Sequence, residues 1–194
     1  MDLGGLFRSL SLFELVALLI FGGGFVLGFV QGPIQRILGI AVATLSLLFA
    51  LNLRAPIGSW LAGYWVQDSL GYCQLIAFGA SFLILFVTAA LAAQIYVKPM
   101  TLFARSPIGN ELLGGLLGIL EAVIVLGALL MIIDSYFRVS STSLSPNELG
   151  ILRSLFHFYD DSLTARVFRD GLFPAFFWLF GWITPENVRS LFVR

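Results

Sequence analysis

Charged residues, histidine and cysteine are all scarce in this sequence of 194 residues. Aspartate, glutamate, lysine and arginine make up 11% of it, whereas soluble domains contain about 25%. The eleven basic and eleven acidic side chains give a formal net charge of zero, so no surface that attracts nucleic acid is expected. A single histidine, His157, and a single cysteine, Cys73, exclude a histidine metal cluster and an internal disulfide. We therefore predict neither a metal site nor a cofactor.

Apolar residues, by contrast, make up 59% of the sequence, and its mean hydropathy is +0.96. Soluble domains average about 45–50% apolar residues. A domain of this size keeps much of its surface in water, and it could not bury so large an apolar excess. The composition predicts an integral membrane protein, so the lipid bilayer is a predicted partner.

Four segments are long and apolar enough to cross a bilayer core of about 30 Å, which requires roughly 20 helical residues. Their boundaries are predicted at about 14–32, 35–53, 72–97 and 111–134. The second span is predicted to end within residues 54–58, because Pro56 disfavours a continuous helix. The first run continues without a cleavage motif, so we interpret it as a span and not as a signal peptide. Residues 1–139 are thus predicted to form an all-α, four-transmembrane-helix bundle.

Residues 140–194 differ from the spans and are predicted to form amphipathic helices that lie at the membrane interface. A capping box at residues 145–148 precedes a one-sided apolar helix that reaches Tyr159. A second short helix begins after residues 160–162 and is predicted to stop at Gly171.

The last apolar run, at residues 173–183, is too short to span a membrane. It contains Trp178 and Trp182, and tryptophan is enriched at the level of the lipid headgroups. Arg166 and Arg169 lie beside the apolar residues that precede this run. We therefore predict that the tail lies flat on the membrane surface; a re-entrant segment, a fifth crossing and a soluble mini-domain are the alternatives.

Small residues recur every four positions on the first and fourth predicted helices. Such faces allow helix backbones to approach closely in lipid. The pattern predicts packing contacts within the bundle, or self-association or binding to other membrane proteins; the alternative is that glycine is simply common in membrane helices. The residues concerned are Gly24, Gly28 and Gly32 on the first helix and Gly114, Gly118 and Ala122 on the fourth.

Glu121 is an acid near the middle of the fourth span, on the same face as Gly114 and Gly118. An acid within a membrane is costly and is a functional candidate by default. We favour a structural interpretation, in which a neutral Glu121 bonds to a hydroxyl group on a neighbouring helix. The candidate hydroxyl groups are those of Thr44, Ser81 and Thr88. The alternatives are a role in moving an ion or a proton and a contact with lipid or with a partner protein.

Catalytic motifs are not found: the sequence contains no Gly-x-Ser-x-Gly, P-loop or paired-histidine metal motif. We interpret His157 as an interfacial side chain, Asp134 as the boundary of the fourth span, and the adjacent acids at 160 and 161 as a helix cap. We therefore predict no catalytic residue and no enzymatic activity.

These patterns resemble those of the colicin V production protein (CvpA) family of small bacterial inner-membrane proteins. In that family the first helix opens with an acid and closes with a turn near Gly-x-x-basic-Gly, for which this sequence has Glu14 and residues 28–32. The family's fourth helix begins near Asp-x-x-x-Gly-x-x-x-Gly-x-x-Arg-Gly, and its first two glycines match Gly114 and Gly118. Four positions depart from the family: Gln31 replaces a basic residue, Asn110 the acid, Glu121 the arginine and Ala122 the last glycine.

The resemblance covers about residues 13–136 and implies four membrane helices in the bacterial inner membrane. It also implies a non-enzymatic role in colicin V production or secretion, or in envelope maintenance. Some relatives carry a trypsin-like protease domain as well, for which the residues after Tyr136 are too few. The alternative is a small transporter or channel subunit that uses Glu121.

An even number of spans places both termini on the same side of the membrane. The basic residues near the membrane are equally divided, so the positive-inside rule does not select an orientation. The resemblance implies cytoplasmic first and third turns, and therefore extracytoplasmic termini. The two sets are Arg8, Arg54 and Arg138 on the side of the termini and Arg36, Lys98 and Arg105 on the other.

Overall fold

The computed structural model describes residues 11–96, 107–138 and 149–186, together with Arg189 and Phe192. Four of its helices are long and apolar enough to cross a membrane, and no strand occurs among the described residues. The predicted all-α fold with four spans is confirmed, and the chain is a multi-pass membrane protein. The four helices are α1 (Leu12–Gln31), α2 (Pro33–Tyr64), α3 (Leu70–Tyr96) and α4 (Pro107–Phe137).

The two ends of α1 are set by local hydrogen bonds. At its start, Ser11 and Glu14 form a capping box, in which the Ser11 N–H donates to Glu14 Oε2 at 2.5 Å. At its end, the Gly32 N–H donates to the Gly28 carbonyl at 2.9 Å, and Gly32 adopts a φ of +83°. Glycine is favoured there because other residues rarely adopt positive φ. Pro33 then begins α2, where its missing N–H has no helical partner to lose.

The stretch at residues 54–58 does not end the second helix, which is a correction to the sequence-based boundary. Instead α2 continues through Pro56 to Tyr64. A proline inside a helix removes one backbone hydrogen bond, a loss that membrane helices tolerate when neighbouring helices pack around it. Gly58 provides that packing, since a Cβ added to it would lie 2.8 Å from the Gln74 Cα of α3. The close contact with α3 supports the helix beyond its proline.

The four helices are arranged in the spatial order α1, α4, α2, α3. Helix α1 packs along α4, α4 also packs against α2, and α2 packs along α3. Buried apolar side chains from three of the helices, including Leu51, Phe78 and Met131, form the centre of the core. The bundle therefore has α4 and α2 inside and α1 and α3 at its edges.

The described part of the tail consists of α5 (Gly150–Tyr159), α6 (Leu163–Val167), a π-helical turn (Phe168–Leu172) and α7 (Phe173–Phe180). The last three are continuous, and we call residues 163–180 the tail helix. The predicted stop at Gly171 is therefore wrong. The wide π-helical turn lets the chain pass Gly171 while Phe168 and Phe173, on either side, both remain buried. The capping box predicted at residues 145–148 lies outside the described residues.

The tail helix crosses the bundle and contributes to its core. At its start, the Leu163 N–H donates to Glu14 Oε1 of α1 at 2.9 Å. Further along, the Phe168 ring lies against Gly127 of α4, and Phe173 faces Leu47 of α2 across a cavity of about 80 Å³. Its outer side remains exposed. Whether that side lies on the membrane surface stays a prediction.

Candidate functional site

The glycine faces of α1 and α4 lie against each other within one chain. A Cβ added to Gly24 would lie 2.6 Å from the Gly118 carbonyl oxygen, and one added to Gly28 would overlap the Gly114 carbonyl. The backbones of the two helices are therefore in direct contact at these positions. No side chain larger than hydrogen fits between them.

The other two small residues of the pattern lie in the same contact. The Ala122 Cβ would lie 2.9 Å from a Cβ added to Gly24, and the Gly32 Cα would lie 3.1 Å from one added to Gly114. The structure thus brings all six small residues of the predicted faces together. Their contact joins α1 to α4 over about two helical turns.

Glu121 forms an ion pair with Arg36 of α2, in which Arg36 Nη1 donates to Glu121 Oε2 at 2.5 Å. Arg36 Nη2 also donates to the side-chain oxygen of Gln31. We call Arg36 and Glu121 the intramembrane pair. The prediction that Glu121 bonds to a hydroxyl group of Thr44, Ser81 or Thr88 is wrong, because its carboxylate is paired with the guanidinium group of Arg36.

The intramembrane pair is largely withdrawn from solvent, with side-chain exposures of 10% for Arg36 and 16% for Glu121. Space for the carboxylate is provided by Gly39, where an added Cβ would lie 2.6 Å from Glu121 Cδ. Arg36 is the fourth residue of α2, so its long side chain extends from the helix end toward α4. A buried charge is tolerated when it is paired, and this pair fastens α2 to α4.

A second buried polar cluster joins the tail to α4, and we call it the Asp134 cluster. Arg169 of the tail helix donates from Nε to Asp134 Oδ2 and from Nη2 to Asp134 Oδ1, both at 2.7 Å. The Tyr159 hydroxyl donates to Asp134 Oδ1 at 2.8 Å. Arg169 Nη1 also pairs with Asp160 Oδ1 at 2.8 Å. The carboxylate of Asp134 is 2% exposed and has three donors.

The tail side chains of this cluster are held in their hydrogen-bonding forms. Burial and the neighbouring Asp134 charge raise the pKa of Tyr159, so its hydroxyl keeps the proton that it donates. Burial lowers the pKa of Arg169, but the hydrogen bond and the charge of Asp134 outweigh it, so the net pKa is raised. At neutral pH the Tyr159 hydroxyl and the Arg169 guanidinium group therefore both keep the protons that they donate to Asp134.

The Asp134 cluster corrects two interpretations of the sequence: Asp134 is more than the boundary of a span, and Asp160 is more than a helix cap. Arg169, which the sequence placed beside apolar residues of the tail, points inward to Asp134. The sequence contained one signal for both polar pairs. Charged residues are so rare in the spans that each is expected to have a partner. The partners lie 85 and 35 residues away along the chain, and no sequence pattern connects residues so far apart.

Three other residues considered in the sequence analysis are buried or form hydrogen bonds with neighbouring elements. Glu14 accepts hydrogen bonds from the N–H groups of both Ser11 and Leu163, and so connects the starts of α1 and the tail helix. Asn110 is buried in the second turn of α4. Arg54, also buried, donates to the Ser135 carbonyl at 3.2 Å near the end of α4. Within the described residues, no group of three or more His, Cys, Asp or Glu side chains is placed to hold a metal ion.

Comparison with known proteins gives one match. The sequence profile of the family described as "Colicin V production protein" matches residues 13–159, which include all four membrane helices and α5. No curated protein and no solved structure matches the chain. The match thus contains both members of the intramembrane pair, and Asp134 and Tyr159 of the Asp134 cluster, but not Arg169.

Proposed function

Because the chain belongs to the colicin V production protein family, we propose that it is a non-enzymatic inner-membrane component of colicin V production or secretion, or of envelope maintenance. The proposal that the protein is non-enzymatic is supported by the pairing of its buried acidic side chains with arginines. Glu121 is paired with Arg36, and Asp134 with Arg169. These charges hold helices together, which supports a scaffold that acts through its assembled shape.

The proposal is tested in a bacterium that secretes colicin V and lacks its own member of this family. We expect the wild-type chain to restore toxin secretion, measured as growth inhibition of a sensitive strain by the culture fluid. The double variant Arg36→Gln/Glu121→Gln is expected to restore it as well, because removing both charges of a buried pair is often nearly neutral for stability. The single variant Glu121→Gln is expected to accumulate poorly, since it leaves Arg36 buried without a counter-charge.

The same variants separate a scaffold from a transporter or channel subunit that uses the acid of Glu121. Such a subunit would need the carboxyl group itself, so the double variant would reach wild-type amounts in the membrane and still fail to restore secretion. That result would overturn the scaffold proposal. Failure of the wild-type chain to restore secretion would overturn the proposed role in colicin V production.

We also propose that the tail and the start of α1 lie on the extracytoplasmic side of the inner membrane. Both elements are at the same end of the bundle, since Glu14 contacts Leu163. In a variant without Cys73, a cysteine at Ser154 is expected to react in intact cells with a maleimide that does not cross membranes. A cysteine at Tyr96, at the opposite end of α3, is expected to react only after the cells are permeabilised. The reverse pattern would place the tail in the cytoplasm.

A further inference from the structure

The tail helix contacts three of the four membrane helices, one after another, and these contacts define its direction. It begins beside α1, passes α4 and continues to α2. The proposed function does not use this arrangement. The contacts are those of Leu163 with Glu14 of α1, Phe168 with Gly127 of α4, and Phe173 with Leu47 of α2.

The contacted residue of α1 has the same height along the bundle as the contacted residue of α4. Gly24 of α1 meets Gly118 of α4. The two helices are antiparallel, since the next glycine contact along α1 is with Gly114. Glu14 lies ten residues before Gly24, so it is level with about residue 128 of α4. This is the height at which the tail helix contacts α4.

The contacted residue of α2 is at this height as well. Gly39 of α2 meets the Glu121 side chain of α4. The two helices are parallel, since Arg54, further along α2, donates to the carbonyl of Ser135, further along α4. Leu47 lies eight residues after Gly39, and so it is level with about residue 129 of α4. All three contacts of the tail helix therefore fall at the height of residues 127–129 of α4.

The tail helix thus runs across the bundle and not along it. From Leu163 to Phe173 its axis is about 15 Å long, at about 1.5 Å per residue. In a helix that followed the membrane normal, Phe173 would meet the bundle about 15 Å deeper than Leu163 does. Because both residues meet the bundle at one height, the axis of the tail helix lies nearly parallel to the membrane plane.

This height lies inside the membrane, in the half toward the start of α1. Residue 128 of α4 is six residues before Asp134 in the span Ile108–Phe137, which corresponds to about 9 Å along the helix. Half of a bilayer core is about 15 Å thick. Amphipathic helices that lie in the plane of a membrane bury their apolar side by about 5–10 Å. The tail helix is therefore level with the acyl chains of one leaflet.

The two sides of the tail helix match this position. Arg169 extends to Asp134, toward the aqueous side of the membrane. Phe176 lines a cavity together with Val123, toward the middle of the membrane. Arg166 is exposed one turn before Arg169, on the same side of the helix, where its long side chain can reach water.

We propose that the tail helix is embedded in the plane of a single leaflet and binds the acyl chains of that leaflet through its outer side. This arrangement differs from a tail that rests on the headgroups, because acyl chains are the partner. The inference does not depend on the proposed role in colicin V production. The exposed apolar residues that would contact the acyl chains are Leu163, Val167, Leu172, Trp178 and Leu179.

The test measures the depth of the two ends of the tail helix in phosphatidylcholine vesicles that contain the full chain. One variant keeps Trp178 as its single tryptophan, and another carries Leu163→Trp, with the other native tryptophans replaced by phenylalanine. Depth is measured from quenching by lipids brominated at different positions along their acyl chains. We expect both tryptophans to be quenched by these lipids and to lie within about 5 Å of the same depth, the length of one helical turn.

Trp60, kept as the single tryptophan, is the matched control. It is also exposed, but it lies thirteen residues beyond Leu47 on α2, about 20 Å nearer the aqueous phase. We expect iodide in the water to quench Trp60 and the brominated lipids to have little effect on it. Thermal unfolding identifies the folded variants, and Val167→Trp takes the place of Leu163→Trp if the latter does not fold.

Two outcomes would overturn the proposal. Depths at residues 163 and 178 that differ by about 20 Å, the length of helix between them, would indicate a re-entrant or crossing helix. Quenching of both tryptophans by iodide alone would indicate a tail that lies above the acyl chains, on the headgroups or in water.

Discussion

Replacement of Gly28 by leucine is expected to lower the free energy of unfolding by at least about 3 kcal/mol, the upper end of the usual cost of overpacking. The cause is the direct backbone contact between α1 and α4. A Cβ at Gly28 would lie 2.8 Å from the carbonyl carbon of Gly114, and a backbone atom cannot rotate away as a side chain can. The two helices must therefore separate along the whole line of small residues.

Thermal unfolding in detergent, together with the amount of protein in the membrane, measures this effect. Gly23→Leu is the matched control, because it makes the same change on the same helix at a position with no atom within 4 Å. We expect the control to unfold close to the wild-type temperature. Equal unfolding temperatures for Gly28→Leu and Gly23→Leu would contradict the contact between α1 and α4.

Removal of the Arg169 side chain is expected to release the tail helix from the bundle. In Arg169→Ala the Asp134 carboxylate stays buried without its cation, a change that typically costs about 3–5 kcal/mol. The apolar contacts of Phe168 and Phe173 depend on the same docked position. We therefore expect a lower unfolding temperature and faster cleavage of the tail by thermolysin, which cuts at apolar residues.

Arg166→Ala is the control for this change, because Arg166 lies one turn earlier on the same helix and is exposed. It is expected to have little effect on either measurement. Adding Asp134→Asn to Arg169→Ala is expected to recover part of the lost stability, since the buried charge is removed while an acceptor for Tyr159 remains. A loss of stability in Arg166→Ala as large as in Arg169→Ala would show that the Asp134 cluster does not hold the tail.

The sequence alone was sufficient to predict the number of membrane helices and the positions of their small faces. Both features are local. A span is a run of apolar residues of a given length, and a face is a repeat of small residues at the helical period. The resemblance to the colicin V production family rested on the same local patterns, and the match over residues 13–159 confirmed it.

Only the tertiary structure decided which charges pair and where the helices end. Glu121 finds Arg36 and Asp134 finds Arg169 across distances in sequence that no helical period connects. Likewise, α2 passes Pro56 because Gly58 packs closely against α3, and the tail helix passes Gly171 because aromatic rings on both sides of it are buried. Local preferences predict a helix end at both places. Contacts with neighbouring helices outweigh them, since the packing energy depends on residues that are remote in the chain.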